Sequence, residues 1–252
     1  MLDTIDHAEI RELRLARPPV NALDPALVAL LRTTIEAAPA DGARALVLSG
    51  TQGLFSAGLD VPALLALDRA AMRAFWSDFF SLCAAIARSP IPVVAALTGH
   101  SPAGGAVLAT FCDYRIMARG PFRIGLNEVQ VGLSVPDCIQ AGLRRLVGTY
   151  RAERLMVAGT MVEAEQALAI GFVDELVDVD HVVPRALVWL GELLQLPPQA
   201  MAQTRRLARA DLAAVFADVA AFPVDDFVDG WFSDESQATL QALVARLRSK
   251  AG

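Results

Sequence analysis

Short apolar runs of about five residues, separated by longer stretches of helical period, constrain this chain more than any other feature. Ala43 to Ser49 (ARALVLS), Val93 to Leu97 (VVAAL) and Tyr114 to Ala118 (YRIMA) are too short to be core helices and too continuous to be half-exposed strands. They read as strands covered on both faces, which is the pattern of a sheet with helices packed on it. Glu9 to Leu15 and Val173 to Val177 read as further strands at the two ends of the series. Strands alternating with helices predict an α/β fold.

The helical stretches carry their own punctuation. Asp24 stands as an N-cap with Pro25 at the first helical position, and Asp68 opens a second helix. Met72, Phe75, Trp76, Phe79, Cys83 and Ile86 recur on one face of that second helix, predicting a broad buried stripe. Pro90-Ile91-Pro92 ends it and launches Val93 to Leu97, which Gly99 closes. From Ala103 the pattern is helical through Cys112. After Val177 it is helical to the end, with Leu240, Leu243, Val244 and Leu247 at helical spacing behind Ser233-Asp234. This divides the chain into a core over residues 1–180 and a C-terminal helical segment over 181–252, within one compact body; the apolar face of the tail suits a subunit contact. No internal repeat or flexible linker interrupts it.

The 252 residues carry 22 Lys+Arg against 28 Asp+Glu, a net charge of −6 that argues against a nucleic-acid partner. A hydrophobic fraction of 54% with 20% charged residues excludes disorder. The first residues, MLDTIDHAEIRE, lack the basic and apolar regions of a secretory signal, and the apolar runs are too short for a bilayer. A soluble, cytoplasmic protein without membrane contact is expected. Cys83, Cys112 and Cys138 show no Cys-x-x-Cys spacing and read as buried apolar groups. His7, His100 and His181 are scattered, so no metal site is expected. The chain has neither Gly-x-Gly nor Gly-Lys, which removes the dinucleotide fingerprint and the P-loop.

Fourteen of the 17 glycines fall between Gly42 and Gly171, so turns and working loops belong there. Two loops stand out: Phe55-Ser56-Ala57-Gly58-Leu59-Asp60 and Gly99-His100-Ser101-Pro102-Ala103-Gly104-Gly105. Each follows a strand and leads to a helix, so each can leave backbone N–H groups free, and two such donors can hold an oxyanion. The plainer reading is a pair of tight turns. Gly125-Leu126-Asn127-Glu128-Val129-Gln130-Val131-Gly132 sets one carboxylate in an apolar stretch, where a raised pKa would let it exchange protons near neutrality; the plainer reading of Glu128 is a surface or capping residue. Gly-His-Ser-Pro-Ala at 99–103 has the outline of a hydrolase elbow, but Ala103 stands where the motif needs glycine, and His100 reads as a turn residue.

Taken in order, Pro18-Pro19-Val20-Asn21, Phe55 to Asp60, Pro102-Ala103-Gly104-Gly105, Cys112-Asp113-Tyr114-Arg115-Ile116, Ile124-Gly125-Leu126-Asn127-Glu128 and the tail from Phe227 through Asp234, Gln237 and Leu240 resemble the crotonase, or enoyl-CoA hydratase/isomerase, superfamily. Within it the chain is most similar to the mitochondrial-type Δ3,Δ2-enoyl-CoA isomerases. The resemblance implies a spiral of ββα units with a C-terminal helical segment, assembled as a homotrimer or a dimer of trimers. It implies an acyl-CoA substrate, no separate cofactor, and a place in fatty-acid metabolism such as β-oxidation.

The same resemblance maps two oxyanion donors to the N–H groups of Leu59 and Gly104, and the acid/base to Glu128. Ala57, Gly58, Asp60 and Asn127 fall at substrate-contacting positions. The family's hydratases carry two glutamates, and the first of these positions is Val107 here. One carboxylate suffices to move a double bond, so isomerisation is expected, with hydration as the alternative; a non-catalytic acyl-CoA-binding protein is disfavoured by the intact loops. Dienoyl-type chemistry would use an acid near Asp137, whose ordinary role is to cap the following helix. The Met72-to-Ile86 helix is expected to line the acyl pocket.

Overall fold

A computed structural model describes residues 1–251. The strands are β1 (Leu2–His7), β2 (Ile10–Leu15), β3 (Ala45–Ser49), β4 (Gly53–Leu54), β5 (Val93–Leu97), β6 (Gly99–Pro102), β7 (Tyr114–Ala118), β8 (Arg123–Gly125), β9 (Val162–Glu163) and β10 (Glu175–Val177). The helices are α1 (Pro25–Ala37), α2 (Val61–Leu64), α3 (Arg69–Ala87), α4 (Gly104–Thr110), α5 (Asp137–Val147), α6 (Thr149–Val157), α7 (Ala164–Ala169), α8 (Val182–Leu194), α9 (Pro198–Ala208), α10 (Ala210–Val215), α11 (Val224–Trp231) and α12 (Asp234–Ala251).

Two sheets organise the chain. The larger runs β1-β2-β3-β5-β7-β10 and is parallel except for β1; the smaller runs β4-β6-β8-β9. Each turn of the winding places a long strand in the first sheet, a short one in the second, and then a helical segment. β3, β4 and α2–α3 make one turn, β5, β6 and α4 the next, and β7 and β8 lead into a 3₁₀ turn at Glu128–Val131. All five residues of β3 and of β5 are buried. On one face Val47, Val94, Ala96 and Ile116 pack beneath Val182, Ala186 and Leu190 of α8; on the other, Leu46, Leu48, Ala95 and Leu97 join the main core with α1, α3 and α4.

Local chemistry places the ends of the helices where the sequence predicts. Asp24 accepts from Leu27 N–H at 2.8 Å with Pro25 beginning α1, and Asp68 accepts from Ala71 N–H at 2.8 Å. Met72, Phe75, Trp76, Phe79, Cys83 and Ile86 are all buried on α3. Cys83, Cys112 and Cys138 are free and buried. One expectation, the strand end at Gly99, needs correction, and two features went unread. Leu2–His7 forms β1, which its polar sequence conceals because it is an edge strand paired only with β2. Gly99 does not close the strand region but begins β6, and His100 lies in that strand, accepting from Arg123 N–H through Nδ1 at 3.2 Å. The smaller sheet as a whole is invisible to periodicity, since two- to four-residue strands are shorter than any repeat they could show.

The C-terminal helices are pinned to the core through Asp113. Its carboxylate accepts from the Arg205 guanidinium at 2.7 and 2.8 Å, lies 3.3 Å from Arg209, and accepts from the Val93 N–H at 2.8 Å. Arg209 also donates to the carbonyl of Phe111 at 2.8 Å. Removing the carboxylate leaves the buried Arg209 and the partly buried Arg205 guanidinium without their counter-ion. Asp113→Ala is therefore expected to destabilise the fold by about 3–5 kcal/mol, read as a lower urea midpoint at pH 7; an unchanged midpoint would show that the backbone carbonyls alone hold these helices.

Candidate active site

The two glycine loops and the Glu128 segment each leave one strand of the smaller sheet, and this brings them together. The first loop is laced to residues 17–24 by several bonds. Ala57 N–H donates to Val20 O at 3.0 Å, Ser56 Oγ to Asn21 O at 2.7 Å, Leu23 N–H to Gly58 O at 2.8 Å and Asp60 N–H to Leu23 O at 3.0 Å. Asn21, buried at φ +50°, ties Phe55 O to Arg17 N–H through its amide. Within this lacing the Leu59 N–H has no acceptor among the described residues.

The second loop turns at Ala103, whose φ of 44° and ψ of −117° are strained for a residue with a Cβ. Ala103 N–H donates to Gly125 O at 2.8 Å, anchoring the turn to the end of β8. The next N–H, that of Gly104, begins α4 and likewise has no acceptor among the described residues. The two loops touch at their glycines. A Cβ on Gly58, at φ +87°, would lie 3.2 Å from Gly104 N, and one on Gly104 would lie 3.3 Å from Gly58 Cα. Glycine is required at this approach because backbone meets backbone.

Glu128 opens the 3₁₀ turn and is 9% exposed. Burial pushes its carboxyl up to about 7, with its own backbone N–H partly opposing the rise. Its Oε2 and the neighbouring Asn127 Oδ1 are buried without hydrogen-bond partners among the described residues. Both residues face a mainly apolar cavity of about 460 Å³, whose wall also includes Ala57, Leu59, Asp60, Gly104, Trp76, Phe79, Leu133, Ile139, Leu243 and Leu247. Buried acceptors without donors, at the edge of an open apolar cavity, mark a place where a ligand completes the bonding.

The structure thus gathers Ala57, Leu59, Asp60, Gly104, Asn127 and Glu128 around one cavity. Gly58 stands behind the wall, its N–H given to Ser56 Oγ at 3.2 Å, so its part is to let Gly104 approach. The Asp60 carboxylate is committed elsewhere, capping α2 at Ala63 N–H (3.0 Å) and pairing with Arg17 at 2.7 Å. Glu128 is neither a surface residue nor a cap. Ser101 is buried, with Oγ turned to Gly99 O at 3.4 Å, and is absent from the cavity wall. Val107 is buried in the core within α4. Asp137 does not cap α5: Pro136 occupies that position, and the Asp137 side chain, 91% exposed, reaches Arg144 at 3.5 Å. Among the described residues there is no cluster of His, Cys, Asp or Glu able to hold a metal ion, and no helix long and apolar enough to cross a membrane.

Trp76 and Phe79 of α3 line the cavity. Sequence reasoning missed Arg17, Leu133, Ile139, Leu243 and Leu247. Leu243 and Leu247, four apart on α12, carry the helical signal but read only as a tail stripe. Their arrival at the site depends on Ser236 Oγ donating to Gly132 O at 2.5 Å and Gln237 donating to Trp231 O at 2.8 Å, which seat α12 against the Glu128 turn.

Comparison with known proteins gives this arrangement its class. Residues 6–250 match the family model described as enoyl-CoA hydratase/isomerase. Enoyl-CoA delta isomerase 1, mitochondrial, of Homo sapiens is 30% identical over 248 residues, covering 97% of this chain and 82% of the human protein. A probable enoyl-CoA hydratase of Mycobacterium avium is 35% identical over 213 residues, covering 83% of this chain and 80% of that one. The crystal structure of human mitochondrial delta3-delta2-enoyl-CoA isomerase superposes with a TM-score of 0.92 at 30% identity, covering 100% of this chain and 99% of that one. The fold is the crotonase fold. The chain belongs to the enoyl-CoA hydratase/isomerase family and is an enzyme of that family, similar to its mitochondrial isomerases.

Proposed function

We propose that the enzyme converts 3-enoyl-CoA to 2-enoyl-CoA, with Glu128 as the single acid/base and the N–H groups of Leu59 and Gly104 holding the thioester oxygen. The observation that carries this reading is that Glu128 is the one carboxylate on the cavity wall not engaged by a cation or a cap. The carboxylate removes a proton from C2; the electron pair of the C2–H bond delocalises over the thioester oxygen and the C3–C4 double bond. The same carboxyl returns the proton at C4, leaving the double bond between C2 and C3. The oxygen gains negative charge only as the C2 proton leaves, so donors placed for it stabilise the transition state more than the ground state. Asn127 Oδ1 supplies a further polar contact beside Glu128. No cofactor enters these steps, because the coenzyme A thioester is itself the substrate.

Relatives named as probable hydratases supply a second reading, hydration of 2-enoyl-CoA. Water addition calls on a second acid, and Val107 in the apolar core offers none. We assign the enzyme to fatty-acid β-oxidation chemistry and to a homotrimer or a dimer of trimers formed through the C-terminal helical segment. Exposed Leu196 and Leu207 on that segment support the assembly, which sedimentation equilibrium tests.

Parallel turnover of a 3-enoyl-CoA and a 2-enoyl-CoA of equal chain length tests the reaction. Appearance of the conjugated thioester from the first without loss of conjugation from the second is expected. Rapid loss of conjugation from the second would replace isomerisation with hydration.

A further inference from the structure

The cavity at Glu128 does not end at solid core. A second chamber of about 190 Å³ lies beyond it, bordered by Phe227, Gly230 and Trp231 of α11 and by Ser233 and Glu235 near the surface. The two spaces share Trp76, Leu133 and Ser134 as lining, so the division between them is only these residues thick. We propose that Trp76 sets the length of acyl chain the site accepts, by separating the catalytic cavity from a chamber that would otherwise extend it.

The wall is built unequally. Leu133 follows Gly132, whose carbonyl accepts from Ser236 Oγ at 2.5 Å and on which a Cβ would lie 3.1 Å from Ser236 Cα, so this edge of the wall packs closely against α12. Trp76 is held by ring contacts, edge-on to Phe79 at 5.9 Å between centroids, stacked on Phe80 at 5.8 Å and tilted against Phe227 at 5.8 Å. Its indole N–H has no hydrogen-bond partner among the described residues, so no polar bond ties the ring to the partition. On the far side, the exposed Gly230 of α11 borders the mouth of the chamber with nothing within 4 Å of a Cβ built upon it, so a leucine there meets no clash and has the length to reach into the chamber.

The ligand class follows from the lining. The catalytic cavity is mainly apolar, while the chamber is bordered by Phe227 and Trp231 on one part of its wall and by the exposed Ser233 and Glu235 on another. A saturated hydrocarbon tail fits the inner part, and each methylene moved from water to such a site tightens binding about threefold to fourfold. In the wild type this gain stops when the chain reaches Trp76. With the indole removed it continues into the chamber.

This inference rests on the acyl-CoA reading of the cavity, and its test uses binding rather than turnover. Affinities of saturated acyl-CoAs from four to sixteen carbons are measured by calorimetry on the full chain. For the wild type, affinity rises with length and then levels. For Trp76→Ala the levelling is expected to move to longer chains by two or more methylenes, a gain of about tenfold for chains beyond the wild-type limit. Trp76→Ala combined with Gly230→Leu is expected to restore the original limit, and Gly230→Leu alone to leave it unchanged. If Trp76→Ala does not fold, Leu133→Ala opens the same wall from its other edge and carries the same expectation. An unmoved limit in the folded variant, or an extended limit that Gly230→Leu does not reverse, overturns the proposal. Failure of the wild type to isomerise 3-enoyl-CoA would reject the reaction assigned to Glu128 while leaving the chain-length result to stand or fall separately.

Discussion

Glu128→Gln is expected to lower kcat for 3-enoyl-CoA by about 10³- to 10⁴-fold, the upper part of the range for a positioned acid/base, because in the proposed mechanism one group carries the proton in both steps. Acyl-CoA affinity is expected to change little, since the amide keeps the shape of the wall. Calorimetric binding beside single-turnover kinetics checks the two together, and near-wild-type kcat would remove Glu128 from the mechanism. The buried carboxyl also sets the pH dependence. With its pKa raised to about 7, the base form predominates only above neutrality, so kcat/KM is expected to rise with pH through a midpoint near 7.

The same shift fixes the sign of the effect on stability. The folded state holds the Glu128 proton more tightly than the unfolded state, whose carboxyl titrates near its ordinary 4.5. Stability is therefore highest below that value and is lost as pH rises through about 7, by about 3 kcal/mol in total. Glutamine carries no such charge. Allowing for the cost of an unpaired buried amide, Glu128→Gln should be about 2 kcal/mol more stable than wild type at pH 8, and no more stable at pH 4. Urea midpoints at the two pH values measure this, and a destabilised variant at pH 8 would contradict the burial argument. Activity given up for stability is what a carboxylate kept in apolar surroundings for chemistry should show.

Gly104→Ala carries the second large effect. Its Cβ would meet Leu23 Cδ1 at 3.0 Å and Gly58 Cα at 3.3 Å. The leucine methyl can move, but the glycine backbone of the neighbouring loop cannot move without shifting Leu59. The substitution is thus expected to separate the two N–H donors by a few tenths of an ångström while leaving α4 intact, since alanine favours helix. A fall in kcat of about 10²-fold with little change in KM is expected, as for loss of one oxyanion donor. Stopped-flow turnover with circular dichroism separates this from unfolding; a raised KM at constant kcat would mean that the loops bind substrate without stabilising charge.

The helix starts at Asp24-Pro25 and Asp68, the buried stripe on α3 and the doubly covered strands β3, β5 and β7 were all legible because each signal is local, a cap, a period or an apolar run. Glu128 was legible as a carboxylate in apolar company. Its burial was not, because a four-residue 3₁₀ turn carries no period and its cover includes α12, more than a hundred residues away. Asp137 shows the opposite failure: its place after Pro136 has the form of a cap, yet the backbone gives that position to the proline and turns the carboxylate to solvent.

By itself the amino-acid sequence determined the alternation of strands and helices, the absence of the usual nucleotide motifs, and the two glycine loops with one carboxylate after them, since these depend on residue type and short-range spacing. Only the tertiary structure decided that Leu59, Gly104 and Glu128, 45 and 24 positions apart in the chain, share one cavity wall. The smaller sheet does this by pairing strands too short to announce themselves. Only the fold, too, leaves both N–H groups without acceptors among the described residues and brings Leu243 and Leu247 across to the apolar side of the cavity. Burial and the loss of water raise the Glu128 pKa, and burial is a property of what surrounds a residue in space, which sequence neighbours do not specify.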